Sequence, residues 1–276
     1  MAYNIGNTTV IGNDAALGAV SGNSLNLANN ANIPASGGNS YNVELFLVGG
    51  GGSGGREHNE SGGGGHGGLI RTPVEVPVST SFSITLGAGG AAQNSNGVDG
   101  NTGSSSTAFG YTAAGGSGGR AGDDSQGQEG GSGPKPTTWG GGSTFQAAIT
   151  ANGFTNSMGG AGAHPNQGIN NANGGVGYQN LPNAQFAGGG GGHFYFTNYS
   201  GNSGGGNGSN STDAGDGVRG SGGGGGRQRG GAGGTGYCVI RYPGNTAIGT
   251  GGTVQVNGGY VYHTFNGSGT FNSGTP

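Results

Sequence analysis

The feature that most constrains this chain is where its glycine falls, in short blocks bracketed by apolar, strand-like sequence. VELFLVGGGGSGG at 43–55 opens the series and RGGAGGTGYCVIRYP at 229–243 closes it. A flexible linker has no need of such a frame, so the blocks read as ordered glycine. Order there is costly. Fixing one residue's backbone costs roughly 1–2 kcal/mol, glycine loses the most freedom of any residue, and 77 of the 276 residues are glycine. No side chain inside a block can offset that by burial. Backbone packing can. A polyproline-II-type helix turns once in about three residues and leaves its N–H and C=O groups unused. Several such helices without side chains can lie side by side and bond through N–H···O=C and weaker Cα–H···O contacts. The expected fold class is mainly β with packed polyglycine-II helices. It is a glycine-rich sandwich on a small β-framework, with almost no α-helix.

Composition removes several classes. Charged residues make up 7% and the net charge is −3, which gives neither the high charge of most disordered segments nor the basic footprint of a nucleic-acid binder. Hydrophobic residues, at 29%, fall below the usual roughly 45–50%, so any side-chain core is small. A collagen triple helix is excluded because no Gly-X-Y period is sustained. No stretch approaches the roughly 20 apolar residues of a membrane span, so no membrane insertion is expected. MAYNIGNTTVIGNDAALG at the start has neither a basic opening nor an apolar run, so no signal peptide is expected. Cys238 is the single cysteine, which rules out an intrachain disulfide. By alternation it shares a strand face with Ile240 and reads as an inert buried thiol.

Three parts are expected along the chain. Residues 1–40 form a thin arm, with a short strand near 4–13 and isolated apolar points at Leu17, Val20, Leu25 and Leu27. The arm is too poor in apolar residues to fold alone and should pack on its own copies or on another protein. Residues 41–244 are the glycine-rich body. Within it LIRTPVEVPVSTSFSITLGAGG alternates at Phe82, Ile84 and Leu86 and carries Pro73 and Pro77, so it reads as edge strands. Residues 245–276 contain TVQVNGGYVYHTFNGSGTF, two alternating strands joined at Asn257-Gly258, with a further turn at Asn266-Gly267.

Chemistry-bearing residues are sparse. His58 lies in the charged island REHNE without a signalled nucleophile, and His66, His164, His193 and His263 lack metal-ligand spacing. GGNGSN at 205–210 approaches a calcium-binding nonapeptide but has Asn210 where Asp belongs. Asp213 and Asp216 read as exposed turn residues. Matches to G-x-G-x-x-G are everywhere and carry no information. No catalytic site, metal or cofactor is expected. The more informative constellation is HFYFTNY at 193–199, where His193, Phe194, Tyr195, Phe196 and Tyr199 emerge directly from a glycine block. As an aromatic loop tip the run would suit protein or sugar recognition. The other reading is that it covers the end of the glycine lattice or fills a subunit interface. PKPTTW at 134–139, with the only Lys (Lys135) and the only Trp (Trp139), is a second candidate tip with the same two readings. Arg227 and Arg229 would meet acidic sugars or satisfy backbone carbonyls.

LFLVGGGGSGG, ITLGAGG and GGAGGTGYCVIRYP together resemble the glycine-rich domain of tail-fibre and related virion proteins of tailed phages, marine ones especially. The resemblance covers about 41–243. In style it extends to long-tail-fibre adhesins, whose polyglycine-II helices stack into a sandwich with variable loops at the tip. The glycine-rich domain of certain animal receptor tyrosine kinases is similar in the same way. GGYVYHTFNGSGTF also looks like the phage family but departs in order. In members this hairpin precedes the first strand; here it follows, which implies circular permutation or pairing with a neighbouring subunit. The resemblance implies a non-enzymatic virion protein on the tail or capsid exterior. Its arm would contact other virion proteins, its loop tips would contact a host-surface protein or glycan, and its copies would associate, most simply as a trimer. The rival expectation is a structural decoration or head-fibre protein with no receptor of its own.

Overall fold

In the computed structural model the described residues are 2–5, 8–11, 17–21, 24–27, 32–34, 40–58, 60–121, 174, 178–181, 184–186, 188–194 and 197–275. Strands β1 (Ala2–Ile5) and β2 (Thr8–Ile11) pair with each other, and β3 (Leu17–Ser21), β4 (Ser24–Leu27) and β5 (Asn32–Pro34) form a separate small sheet. The body follows with β6 (Ser40–Val48), β7 (Glu60–Ser61), β8 (Leu69–Pro77), β9 (Ser81–Thr85), β10 (Ser106–Ala108) and β11 (Tyr111–Ala113). It continues with β12 (Tyr178–Leu181), β13 (Ala184–Phe186), β14 (His193–Phe194), β15 (Thr197–Asn198) and β16 (Tyr237–Pro243). The last strands are β17 (Thr253–Asn257), β18 (Tyr260–Phe265) and β19 (Gly269–Asn272). Among the described residues there is no helix of α or 3₁₀ type.

Two antiparallel sheets make the framework, one in the order β17-β18-β16-β6-β8 and one in the order β11-β10-β9-β19. Alternation sends Val43, Leu45 and Leu47 of β6 and Cys238, Ile240 and Tyr242 of β16 into the core between them. There they meet Ile84, Ala108, Ala113 and Phe271. Cys238 and Ile240 thus share a face, and burial pushes the thiol pKa up. The opposite residues, Phe46, Val48, Tyr237, Val239 and Tyr262, are buried as a second layer. Glu44 on that layer binds both Arg71 and Arg241, whose guanidinium carbons lie 5.2 and 5.3 Å from the centre of the Phe46 ring. Burial on both faces is why LFLV and YCVI read as continuous apolar runs.

Three sequence expectations meet different outcomes in the framework. β8, with Pro73 and Pro77, is an edge strand as expected, whereas β9 is flanked on both sides, by β10 and β19. The hairpin turn lies one residue later than expected. Asn257 pairs with Tyr260, and Gly258 and Gly259, at φ 57° and 77°, form a two-residue turn of the type that matches strand twist. The hairpin itself pairs within the chain, with Tyr242 opposite Val261 and Cys238 opposite Phe265, and β19 closes onto β9.

The glycine blocks continue these strands. β6 runs into segment 49–55, segment 62–68 runs into β8, β9 into 87–90, 98–104 into β10, β11 into 114–120, and 229–236 into β16. Segment 49–55 shows how the blocks are held. Its N–H donors rotate among three partners. Gly49, Gly52 and Gly55 donate to Gly68, Gly65 and Gly62; Gly50 and Ser53 to Ser104 and Asn101; Gly51 and Gly54 to Gly234 and Gly231. Donors climb by three while acceptors fall by three, so the period is that of a polyglycine-II helix with antiparallel neighbours. The carbonyls repeat the rotation. Gly50 and Ser53 accept from Gly116 and Gly119, Gly52 and Gly55 from Gly223 and Gly226, and Gly51 from Gly90. These bonds, 2.8–3.1 Å long, tie 49–55 to six surrounding segments in a hexagonal array. Here only glycine fits. A Cβ on Gly49, Gly52 or Gly55 would lie 2.0–2.6 Å from the carbonyl oxygen of Ala114, Ser117 or Arg120.

Ser53 is the exception inside this helix. It is fully buried, and its hydroxyl accepts the Asn101 N–H at 2.7 Å while its own N–H donates to Asn101 O. Ser53→Ala leaves that Asn101 donor without its acceptor, and we expect a loss of about 1–3 kcal/mol in denaturant unfolding. An unchanged midpoint would show that Asn101 had found another partner.

Candidate functional site

Following the segments outward shows where the loops gather. Segments 49–55, 87–90 and 114–120 leave the framework, and 62–68, 98–104 and 229–236 return to it. Segment 220–226 runs outward as well. Gly67, next to β8, donates to Gly220, whereas Gly226 donates to Gly55 at the far end. The turns that sit back at the framework side are tight, with Ser203 and Gly204 at φ 44° and 92° and Arg219 and Gly220 at φ 49° and 74°. Residues 56–58, 60–61, 91–97, 197–198, 209–213 and 227–229 therefore gather at one end, opposite the sheets.

Three outward segments finish on arginine: GGSGGR ends at Arg56, GGSGGR at Arg120 and GGGGGR at Arg227. The Arg56 side chain is used internally, donating to the carbonyls of Asn94 and, at 3.4 Å, Arg227. Arg120 and Arg227 are exposed. Arg229 is not free for a ligand in the same way, because it pairs with Asp216 at 2.8 Å. Asp216 also accepts the Ala232 N–H. The sequence motif was legible, but only the lattice shows that the three blocks end on the same side.

His193 lies beneath this end rather than on it. β14 pairs with β15 and with β7, which places His193 opposite both Asn198 and Ser61. Its side chain is fully buried, with Nδ1 2.7 Å from the Ser61 hydroxyl and Nε2 unpartnered among the described residues. Burial pushes its pKa down to about 4; the neighbouring His58 backbone opposes that shift and the Arg227 charge adds to it. The expectation that His193 contributes to a recognition surface is corrected accordingly. It ties β14 to β7 beneath this end. Tyr199 is half-buried, and its N–H donates to Gly192 O at 3.1 Å. Phe194 is placed by its backbone in β14. Tyr195, Phe196, Lys135 and Trp139 lie outside the described residues. His58 is exposed at the loop end. His66 and His263 are buried, with His66 Nδ1 2.6 Å from Gly67 O. His263 Nδ1 donates to Gly251 O at 2.9 Å, which leaves Nε2 to accept from the Tyr242 hydroxyl at 2.9 Å. No group of metal-ligating side chains assembles among the described residues.

A family model described as a glycine-rich domain matches residues 8–243. The chain belongs to that family. The match to the glycine-rich domain takes in most of the arm and ends with β16, so β17, β18 and β19 lie beyond it although they complete both framework sheets. No curated protein and no solved structure matches the chain.

Proposed function

We propose that this glycine-rich domain is a non-enzymatic virion protein of a tailed phage, an adhesin whose loop end contacts the host surface. The observation that carries the reading is the segregation of the fold. Among the described residues the outward segments end on the same side, so their loops are presented together on a scaffold of packed glycine helices. Two exposed guanidinium groups, Arg120 and Arg227, suit a protein or glycan with acidic groups, and the aromatic run at 193–199 begins at the same end. The arm preceding β6 would hold the protein to other virion components or to its own copies. Many copies on one particle would turn weak single contacts into firm attachment through effective concentration.

The test is binding of the purified full-length protein to candidate host cells, beside a variant with Phe194, Tyr195, Phe196 and Tyr199 changed to serine. Circular dichroism and sizing establish that the variant folds and assembles. Wild-type binding lost in the folded variant is the expected result. A wild-type protein that binds no susceptible cell would favour decoration of the capsid or tail without a receptor. A variant that fails to assemble would place the aromatics in a subunit interface.

A further inference from the structure

The two edges of the larger sheet differ in kind. β8 carries Pro73 and Pro77, and proline on an edge strand turns its missing N–H outward, which denies a ladder to any incoming strand. β17, TVQVN, has no proline and no charge, and all five of its residues are exposed, with Val254 at 41% and Val256 at 49%. Its hydrogen-bonding pattern follows from the turn. With a two-residue loop at Gly258-Gly259, Asn257 and Tyr260 exchange hydrogen bonds, as do Gln255 with Tyr262 and Thr253 with Thr264. The N–H and C=O groups of Val254 and Val256 therefore point away from β18, toward open solvent.

We infer that β17 pairs with β17 of a second copy of this chain, antiparallel and centred on Gln255. In that register Val254 of each copy lies opposite Val256 of the other, and their outward backbone groups close four hydrogen bonds. Thr253 lies opposite Asn257, and Gln255 faces its own counterpart in a non-hydrogen-bonded pair. The strand pattern is symmetric about Gln255, polar-apolar-polar-apolar-polar, so both apolar pairs form on one face without leaving a polar residue opposite a valine. The absence of charge means that two copies meet no like-charge repulsion. A head-to-tail alternative, β17 on the β8 of another copy, is opposed by the two prolines, so the contact closes at two instead of propagating. It forms a dimer, or doubles whatever assembly the arm makes. A five-residue strand offers less than the roughly 800 Å² per partner of a standard interface, so the contact is reversible and concentration-dependent.

Cysteine trapping in the full-length protein tests this, since the native Cys238 is fully buried and does not compete. Non-hydrogen-bonded antiparallel pairs bring Cα atoms to about 4.5 Å, within the range a disulfide spans. Gln255→Cys should form a disulfide-linked dimer under mild oxidation. Thr253→Cys, which faces Asn257 in this register, should cross-link several-fold less. Val254→Lys combined with Val256→Lys should abolish cross-linking of Gln255→Cys while circular dichroism stays native. Failure of Gln255→Cys to cross-link at high protein concentration, or equal yields from Thr253→Cys, would overturn the pairing. An oligomer that survives the lysine pair but is lost on removing 1–39 would assign self-association to the arm instead.

Discussion

Gly52→Ala should prevent the body from reaching its native state, or cost at least about 3 kcal/mol, the upper end of overpacking penalties. The new Cβ would sit 2.0 Å from Ser117 O and 2.4 Å from Ser117 C. These are backbone atoms of a segment that is itself hydrogen-bonded to its other neighbours, so no side-chain rotation relieves the clash. Two comparison substitutions isolate the cause. Gly258→Ala meets open space but a φ of 57°, and left-handed backbone costs a residue with a Cβ about 1–2 kcal/mol. Gly267→Ala meets open space without that conformation and should stay within about 0.5 kcal/mol of wild type. Chemical denaturation of the three variants should therefore rank them 52, 258, 267 in decreasing severity. A Gly52→Ala protein as stable as Gly267→Ala would show that the segments do not approach as closely as the hydrogen bonds require.

Acid should weaken the fold from about pH 6.5 downward, through a buried histidine. His193 is neutral when folded, with its pKa pushed down to about 4, against 6.5 for the free side chain. Between those values the unfolded chain holds a proton that the native protein refuses, so stability falls as pH drops. The stabilisation is whole above pH 6.5 and decays by about 1.4 kcal/mol per pH unit until the native histidine protonates near pH 4, about 3 kcal/mol in all. His263 is shifted the same way by burial and steepens the decline. His193→Gln should lower stability at neutral pH and flatten the slope between pH 6.5 and 5. A variant that keeps the full wild-type slope would remove His193 as its source.

The framework was legible because its strands announce themselves. VELFLV and YCVIRY are too apolar to be anything but buried, and TVQVNGGYVY alternates around two turn glycines. The presence of polyglycine-II packing was legible from the cost of ordering so much glycine. Which block neighbours which was not. GGGGSGG and GGGGHGG each carry one side chain among six glycines, too little to specify six partners, so most neighbours of 49–55 are set by the strands and turns that deliver them. β9 was misread as an edge because its neighbours come from distant sequence, β10 on one side and β19 on the other. The sequence leaves His193 open between a recognition tip and a packing role, because the decisive contact is with Ser61, 132 residues away. No local pattern signals that pair. The site was therefore readable as a place, the ends of the glycine blocks, and not as a set of side chains.

The rotation of hydrogen bonds among neighbours has an evolutionary corollary. Partners along 49–55 repeat every three residues, so losing one residue would turn the remainder by a third of a revolution and hand every later donor to the wrong partner. Length can drift in the scaffold only by threes, and only if adjoining blocks drift together. The loops obey no such arithmetic. Selection can rewrite, lengthen or exchange them one at a time, and the glycine beneath records nothing of the change.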